Sequence, residues 1–438
     1  FRVASISKSV TAVAVMMLYE QQLLDIHEDI SVYLGYLVRN PNYPTVPLTV
    51  KMLMSHQSSI LDGNGYNQFL QATLQAPPVP DISGLITSSG TYFTSDCWRS
   101  TEPPGTYFSY ANINYGILGT VIEKVSGQRF DQYVRQNILI PLGIEGSFNI
   151  HDLPDPDRIA ALYRKTSGNW LPQADHYAGT LPAPMNLAGY TPGTNGMLFA
   201  PQGGLRITAP ELSKIMRLLS NRGVVDSIRL IQDTTAELMR FRHYCYTCGN
   251  DGNNMGGFFR GYGLGLHLTT NYPGEDIVFP GIEMIGHPGE AYGLLSDMYF
   301  DIKGIYEVIF ITNGVGTGFP YGTQSVFYRC EEDVFSLIYN SFIQNQSVEE
   351  TGNQFEIPVF EIWPNPSSGE EIKIVTGENF PLPGKMEIRN NLGLLLVKGI
   401  ITKREEAIPL NSLPPGIYHV SVLSANNQSA TKTLIINH

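Results

Sequence analysis

The sequence predicts two structural units, an α+β domain followed by a small all-β sandwich. An apolar run at residues 10–18 and an amphipathic segment at residues 113–123 both have helical periodicity. After residue 343 the composition changes, and the chain continues as short alternating runs between Pro, Gly and Asn turns, a pattern typical of a sandwich. With 438 residues and 42% hydrophobic content, the chain can build two domains with substantial cores.

The first eight residues hold the most informative motif, a serine and a lysine three positions apart at the head of the first apolar helix. Spacing of i and i+3 places the hydroxyl of Ser5 and the ammonium of Lys8 on one helix face. Burial lowers the pKa of a lysine because the charged form loses hydration, so a buried Lys8 would be neutral often enough to take the serine proton. A helix start also offers free N–H groups to an oxyanion. Ser5 is therefore a candidate nucleophile.

Two later segments also carry polar residues at short spacing. Tyr110 and Asn112 follow the Pro-Pro-Gly turn of residues 103–105 and lead into the amphipathic helix. His287 and Gly289 lie in a segment that we expect to end a turn ahead of the apolar run at residues 294–300. Together with the serine-lysine pair, these motifs are far more specific than any one of them alone.

The three motifs, in this order, resemble the S-x-x-K, Y-x-N and K/H-x-G signatures of the penicillin-recognising serine hydrolases. That clan includes class C β-lactamases, D-Ala-D-Ala carboxypeptidases, D-aminopeptidases and esterases. The resemblance covers residues 1–343 and implies a β-lactamase/transpeptidase-like fold, an antiparallel sheet flanked by helices. In that fold a helix and the first strands precede the nucleophile helix, so we expect the chain to be a fragment of a longer precursor, with those N-terminal strands missing.

The resemblance also implies a reaction through an acyl-enzyme. Ser5 would attack a carbonyl, and its proton would pass to Lys8 or to Tyr110, which could act as base only if nearby positive charge held its pKa well below about 10. The backbone N–H groups of Ser5 and of Glu290, the residue after the glycine of the third motif, would hold the oxyanion. Asn112 would donate to the acyl side chain of the substrate or hold the lysine. Water activated through the tyrosine would then release the acid.

The third motif departs from the β-lactamase pattern at His287, where β-lactamases carry a lysine. A lysine is a fixed cation that binds a substrate carboxylate, whereas a histidine with a pKa near 6.5 is mostly neutral at pH 7. Pro288 also replaces a residue that bears a hydroxyl. Carboxylate recognition should therefore weaken. This favours an esterase, D-aminopeptidase or D,D-carboxypeptidase-like hydrolase that binds a small-molecule, peptide or ester substrate beside Gly289.

Two alternatives remain open at the level of the sequence. One is a class C-like β-lactamase, and the other is a catalytically silent module that binds cell wall or another ligand. The intact set of Ser5, Lys8 and Tyr110 favours an enzyme, because a binding module needs no activated nucleophile.

Charge and cysteine content exclude several other classes of function. A formal net charge of −12 argues against nucleic acid or an anionic membrane surface as partner. No run reaches the roughly 18 apolar residues of a transmembrane helix. Cys245 and Cys248 lack the second pair of ligands that a zinc site needs, which leaves a local disulfide or two free thiols in a hairpin. The glycine-rich residues 249–265 favour turns over a nucleotide loop, and we expect no metal and no cofactor.

Several other polar residues are expected to be structural. They have no partner pattern around them in the sequence; they are His56, Ser58, Ser59 and His267. Ser7, between the nucleophile and the lysine, should point away from both.

The tail has its own resemblance. The segments P-N-P-x-x-G at residues 364–369, L-P-P-G-I-Y at 413–418 and K-T-L-I-I at 432–436 resemble the C-terminal sorting domain of the type IX secretion system in Bacteroidota. The expected division is a hydrolase domain at residues 1–343, a polar linker at 344–358 and a sorting domain at 359–438. The resemblance implies the secretion machinery as partner and export through the periplasm to the medium or the cell surface.

Overall fold

The fold is described from a computed structural model of the chain. It describes residues 1–75, 78–316, 319–344, 360–365, 367, 370–377, 380–390, 394–410, 413–425 and 429–436. The chain divides into two compact units, Phe1–Asn340 and Ser341–His438. Apart from residue 344, the predicted linker lies outside the described residues.

Helices account for much of the first unit. They are α1 (Ser7–Glu20), α2 (Ile30–Leu34), α3 (Val50–Met54), α4 (Asn64–Thr73), α5 (Ser83–Ile86), α6 (Asn112–Ser126), α7 (Phe130–Val134), α8 (Ala209–Ser220), α9 (Asp233–Arg240) and α10 (Arg329–Ile338). The predicted helices at residues 10–18 and 113–123 are confirmed as parts of α1 and α6. A short 3₁₀ turn, Ala4–Ile6, leads directly into α1. Almost all of α1 is buried, which explains its nearly continuous apolar sequence.

The strands of the first unit are mostly short. They are β1 (Tyr107–Phe108), β2 (Leu162–Thr166), β3 (Asn169–Ala174), β4 (Val224–Val225), β5 (Ile228–Arg229), β6 (Tyr244–Cys245), β7 (Asp251–Gly252), β8 (Gly261–Tyr262), β9 (His267–Leu268), β10 (Met284–Ala291), β11 (Leu294–Asp301), β12 (Glu307–Ile311) and β13 (Gly314–Gly316). The main sheet has six antiparallel strands in the order β12-β11-β10-β9-β8-β6.

The prediction that a turn ends at Gly289 is wrong, because residues 284–291 form the long strand β10. The turn lies at residues 292–293, between β10 and β11. The glycines of this segment are typical of a turn, but in the structure they allow β10 to approach its neighbours closely. A Cβ added at Gly286 would lie 1.8 Å from the carbonyl oxygen of Met298 on β11.

Helices pack on both faces of the main sheet. Met298 and Phe300 on β11 join the large core that α1, α6 and α8 share. Tyr299 points to the opposite face, where its ring contacts Phe327, which in turn contacts Phe335 of α10. The predicted antiparallel sheet flanked by helices is therefore confirmed.

The second unit is all-β, as predicted. Its strands are β14 (Phe360–Trp363), β15 (Glu371–Thr376), β16 (Gly384–Asn390), β17 (Leu395–Ile401), β18 (Glu405–Pro409), β19 (Gly416–Leu423) and β20 (Ser429–Ile436). They form one sheet in the order β14-β15-β18 and a second in the order β17-β16-β19-β20. Both sheets contribute to one apolar core. Across the part of the chain that the structure describes, no helix combines the length and apolar character needed to cross a membrane.

Candidate active site

Ser5 lies on the 3₁₀ turn Ala4–Ile6, beside the edge of β10. The strand comes close because Gly289 has no side chain. A Cβ there would lie 3.1 Å from the backbone nitrogen of Ser5 and 2.4 Å from Oγ of Ser296. Ala4 adopts φ +43°, which places this turn in a region that few non-glycine residues visit. Such an outlier is common where a backbone must present a reactive side chain.

Lys8 is completely buried one turn further along and contacts Ser5 directly. Its Nζ lies 2.9 Å from Oγ of Ser5, 2.8 Å from Oδ1 of Asn112 and 2.8 Å from the backbone oxygen of Gln202. Burial lowers the pKa of Lys8 to about 7, although the charge of Asp62 acts in the opposite direction. A substantial fraction of Lys8 is therefore neutral near pH 7.

Asn112 is held in one orientation by Asp62. Oδ2 of Asp62 accepts hydrogen bonds from the backbone N–H of Asn112 at 2.9 Å and from its Nδ2 at 2.8 Å. Oδ1 of Asp62 accepts from the N–H of Ile113 at 3.0 Å, so the carboxylate also satisfies the start of α6. With the Asn112 amide nitrogen occupied in this way, its oxygen faces Lys8. Of the two predicted roles for Asn112, the contacts favour holding the lysine.

Tyr110 lies between two aromatic rings. It stacks on Phe259 with centroids 5.0 Å apart, and the ring of His56 contacts it at a tilt of 33° with centroids 4.3 Å apart. Burial raises the pKa of the Tyr110 phenol, and a hydrogen bond with Ser5 only partly opposes this effect. The condition set for Tyr110 as a base, a pKa well below 10, is not met. The tyrosine therefore stays protonated at neutral pH.

His287 is a residue of β10 and its side chain is completely buried. Its Nδ1 lies 2.6 Å from the backbone oxygen of Pro288 and its Nε2 lies 2.8 Å from the hydroxyl of Tyr262. This pattern fits a neutral imidazole that donates from Nδ1 and accepts at Nε2. Burial, followed by the charge of Lys8, holds the pKa of His287 well below its usual range. The side chain therefore carries no positive charge at neutral pH.

A cavity of about 940 Å³ opens in front of these groups. Lys8 and His287 lie behind its wall and do not line it. Aromatic rings from several segments make up much of the surface, including Phe258, Phe259 and Tyr292. The predicted site residues that line it are Ser5, Tyr110, Asn112, Gly289 and Glu290.

The residues predicted to be structural have structural partners, as expected. His56 accepts the N–H of Ala111 at Nδ1. Ser7 accepts the N–H of Leu205 and so points away from the nucleophile. The remaining three make buried side-chain contacts: Ser58 with Asn114, Ser59 with Asn40, and His267 with Tyr299.

The cysteines of the C-x-x-C motif form a local disulfide, one of the two alternatives considered. Cys97 and Cys330 are free thiols. In the described ranges, no group of three or more His, Cys, Asp or Glu side chains is arranged to hold a metal ion.

Three groups near the nucleophile were not identified from the sequence: Asp62, the carbonyl of Gln202 and the ring of Phe259. A backbone carbonyl carries no residue signature, so Gln202 had no signal of its own. Asp62 lies 50 positions before Asn112 in the chain, so no local pattern indicates that its carboxylate accepts hydrogen bonds from Asn112.

Comparison with known proteins identifies the family. Residues 1–327 match the family described as β-lactamase. The chain belongs to the β-lactamase family. It is a serine hydrolase of the β-lactamase-related clan and acts on ester or amide bonds through an acyl-enzyme.

The relatives of this β-lactamase-family chain include penicillin-binding proteins. Penicillin-binding protein 4 of Amycolatopsis lactamdurans is 26% identical over 324 residues, which are 73% of this chain and 74% of that protein. The chain matches only 31% and 32% of the length of two further curated relatives.

Solved structures agree on the fold. The octameric penicillin-binding protein homologue from Pyrococcus abyssi has a TM-score of 0.54 at 20% identity, covering 100% of this chain and 85% of that one. The D-amino acid amidase from Ochrobactrum anthropi SV3 has a TM-score of 0.51 at 20% identity, covering 78% and 92%.

Residues 361–437 match the family described as secretion system C-terminal sorting domain. The β-lactamase-family domain is thus followed by a type IX sorting domain. A domain of this kind indicates a protein that is secreted or displayed at the cell surface.

Proposed function

We propose that Ser5 is the nucleophile of this serine hydrolase and that Lys8 is the base that activates it. The observation that carries this proposal is the 2.9 Å contact between Nζ of Lys8 and Oγ of Ser5. A lysine with a pKa of about 7 can accept a proton at neutral pH, whereas an ordinary lysine cannot.

The surroundings of Lys8 also give its neutral form a defined direction. A neutral amine has two N–H bonds and one lone pair. Fixed oxygens of Asn112 and Gln202 accept the two N–H bonds, both at 2.8 Å. The lone pair is then left facing the hydroxyl of Ser5, which is the geometry that general-base catalysis requires.

The proposed reaction follows from this arrangement. Oγ of Ser5 bonds to the substrate carbonyl carbon as its proton moves to Lys8, and the oxyanion is held by the backbone N–H groups of Ser5 and Glu290. Each such donor typically contributes roughly 3 to 4 kcal/mol to the transition state. Tyr110 passes a proton from the lysine to the leaving alcohol or amine, which departs as its bond to the carbonyl carbon breaks. Water then attacks the acyl-enzyme, and the same proton path runs in reverse.

We infer that small uncharged esters are better substrates than carboxylate-bearing β-lactams. His287 is neutral and lies behind the cavity wall, so it offers no cation to a carboxylate. Arg2 does line the cavity, but its guanidinium already lies 3.6 Å from the carboxylate of Asp175.

The test combines labelling with turnover. A fluorophosphonate probe should label Ser5 in the wild type and in Ser7→Ala, whose lost hydroxyl points to Leu205 instead of the cavity. Ser5→Ala should lose all labelling. The kcat/KM for p-nitrophenyl butyrate should exceed that for nitrocefin. Labelling of a different serine would refute the assignment, and much faster turnover of nitrocefin would refute the inferred preference.

The proposed division places the hydrolase at residues 1–343 and the sorting domain at residues 359–438. We propose that the type IX machinery recognises the second after the chain has reached the periplasm. The match of residues 361–437 to sorting domains supports this route.

A further inference from the structure

A long excursion from the main sheet carries part of the cavity wall. Residues 245–260, called the disulfide loop below, run from the end of β6 to the start of β8, and these two strands pair at the base of the loop. The Cys245–Cys248 disulfide closes the first turn of the loop. Phe258 and Phe259, near its other end, line the cavity. The loop therefore connects a disulfide to the aromatic surface in front of the nucleophile.

The disulfide loop also contacts the strand that leads to Tyr110. β7, in the middle of the loop, pairs with β1, which ends two residues before Tyr110. The N–H of Asn253 donates to the backbone oxygen of Phe108 on β1 at 2.9 Å. Gly252 permits this close approach, because a Cβ there would lie 2.6 Å from Cβ of Phe108. The position of β1 therefore depends on the position of the loop.

The same loop supplies one of the two rings that enclose Tyr110. Phe259 stacks on the tyrosine with an interplanar angle of 8°. The opposite ring is that of His56, which is completely buried in another segment of the chain. Phe108 and Tyr244 extend the packing behind Phe259, and their rings stack with centroids 4.2 Å apart. A displacement of the loop would therefore free the phenol on one side.

Little apolar packing holds the outer part of the disulfide loop. Between residues 245 and 256, all of which the structure describes, the sole buried residue is Gly252, which has no side chain. Segments with few buried apolar contacts open at low cost in free energy. The disulfide opposes such opening because it restricts the conformations of the turn. The N–H of Asn250, the residue before β7, donates to the oxygen of Cys245 at 3.0 Å, so this turn also places β7.

We propose that the Cys245–Cys248 disulfide is a positioning element for Tyr110. This inference rests on the proposed function, in which Tyr110 passes a proton to the leaving group, and it extends that function. The disulfide fixes the turn of the loop, and the loop in turn holds β1 and the ring of Phe259. With two thiols in place of the disulfide, the loop moves and the phenol protonates the leaving group less efficiently. Because thiols stay reduced in the cytosol, the enzyme gains its full activity outside it.

The experiment compares two esters that share an acyl group and differ in their need for a proton. p-Nitrophenolate leaves p-nitrophenyl butyrate unprotonated at neutral pH, whereas the ethoxide of ethyl butyrate must be protonated as it leaves. The ratio of kcat/KM for ethyl butyrate to that for p-nitrophenyl butyrate is called the ester ratio below. In Cys245→Ser combined with Cys248→Ser, the ester ratio should fall by about 10- to 100-fold. Absorbance and pH-stat titration follow the two reactions.

The ester ratio separates positioning from a general loss of structure. A smaller folded fraction lowers kcat/KM for both esters equally and leaves the ester ratio unchanged. An unchanged ratio in the double variant, with or without such a common loss, would overturn the proposal. Cys330→Ser is the matched control, because it removes a thiol that forms no disulfide, and it should keep the wild-type ratio.

Reduction of the wild type gives the same comparison without a substitution. Dithiothreitol transfers two electrons and two protons to the disulfide, which becomes the thiols of Cys245 and Cys248, and is itself oxidised to a cyclic disulfide. The ester ratio should fall on reduction and recover on reoxidation. The double variant should not respond to dithiothreitol. A wild-type ratio in enzyme that is fully reduced, as shown by alkylation and mass spectrometry, would contradict the proposal.

Two ring variants test the route through the loop. Phe259→Leu removes the ring that stacks on Tyr110, so the ester ratio should fall as it does in the double variant. Phe258→Leu removes the neighbouring ring of the cavity wall, which packs on Phe327 with centroids 4.9 Å apart. It should leave the ester ratio unchanged. Equal ratios in the two variants would contradict a route through Phe259.

Tyr110→Phe distinguishes this inference from the proposed function. The ester ratio should fall in this variant, because its ring has no proton to give. If the ratio did not fall, the proton path of the proposed function would be wrong. If it fell in Tyr110→Phe and not in the double cysteine variant, only the role of the disulfide would be refuted. Fluorophosphonate labelling of Ser5 should persist in all of these variants, since none of them changes the nucleophile or Lys8.

Discussion

At the scale of single residues, the properties of Lys8 arise from a balance between burial and one remote charge. Complete burial favours the neutral amine, whereas the charge of the Asp62 carboxylate, which is hydrogen-bonded to Asn112, favours the ammonium. The outcome is a pKa of about 7. Asp62 is thus a positioning residue with two effects, because it fixes the amide of Asn112 and also tunes the base.

The pH dependence of turnover should report this balance. Below a pH of about 7, Lys8 is protonated and cannot take the serine proton. With an uncharged ester, kcat/KM should therefore rise about tenfold per pH unit in the acid range and level off above that pKa. Asp62→Asn removes the charge that raises the pKa of Lys8, so the increase of kcat/KM with pH should occur at lower pH. It should also lower kcat, because an amide cannot accept all three hydrogen bonds.

His287→Gln is the matched control for that measurement. The pKa of His287 lies well below its usual range, so the imidazole does not titrate between pH 6 and 8. The rise in kcat/KM should stay at the same pH in this variant. Suppose instead that the rise in kcat/KM disappeared in His287→Gln but stayed at the same pH in Asp62→Asn. Histidine, and not lysine, would then be the titrating group.

At the scale of elements, β10 combines two functions that explain its unusual sequence. The strand supplies the wall of the cavity through Pro288, Gly289 and Glu290, and it also pairs with β11 along its whole length. Close approach to the Ala4–Ile6 turn requires a residue without a side chain where the two meet. Gly289 meets that requirement, and the hydroxyl of Ser296 on β11 helps to fix the contact by donating to the backbone oxygen of Val3 at 3.0 Å.

Gly289→Ala should therefore separate the strand from the nucleophile. The added Cβ would lie 2.4 Å from Oγ of Ser296 and 2.6 Å from the oxygen of Val3, distances at which β10 or the turn must shift. Because the proposed oxyanion donors lie on these two elements, kcat should fall by about 10²- to 10³-fold. Overpacking should also lower the free energy of unfolding by about 1 to 3 kcal/mol. Steady-state kinetics and thermal unfolding measure the two effects.

Gly203→Ala is the control, because its Cβ would face the same turn with room to spare. The nearest atom, the carbonyl carbon of Ala4, would be 3.7 Å away, an ordinary contact distance. This variant should keep most of the wild-type kcat. Comparable losses in both variants would show that the turn tolerates no change at all, and the specific role of Gly289 would be unsupported.

At the scale of the whole molecule, local spacing was predictable from the sequence and long-range contacts were not. The i, i+3 spacing placed Ser5 and Lys8 together correctly because helix geometry alone decides it. The carbonyl of Gln202 reaches Lys8 from 194 positions away, and no sequence pattern announces it. Asp297 lies within an apolar run, and its contact with Glu331 depends on how β11 and α10 pack together.

In the second unit, likewise, strands with their own alternating pattern are predictable from the sequence and strands without one are not. Alternating runs predicted β15, β16 and β19, whose inward positions are apolar. The strand β18, Glu405–Pro409, shows no such alternation, because Ile408 is its one buried residue and the others are two glutamates, an alanine and a proline. Its position follows from pairing with β15 and not from its own pattern.

Catalysis should not depend on the tail, because the two units have separate cores. The two compact units have separate apolar cores, and the residues proposed for catalysis all lie in the first. Removal of residues 345–438 should therefore leave kcat/KM for p-nitrophenyl butyrate within about twofold of the full chain. The same deletion should abolish appearance of the enzyme outside cells that express a type IX system.

Full-length Ser5→Ala separates export from catalysis in that experiment. It should reach the medium or the cell surface as the wild type does, because the sorting domain is intact, yet it should hydrolyse nothing. Circular dichroism on the purified truncated chain establishes that the first unit remains folded. A folded truncated chain without turnover would show that catalysis depends on the tail. Continued export without residues 345–438 would show that the export signal lies elsewhere in the chain.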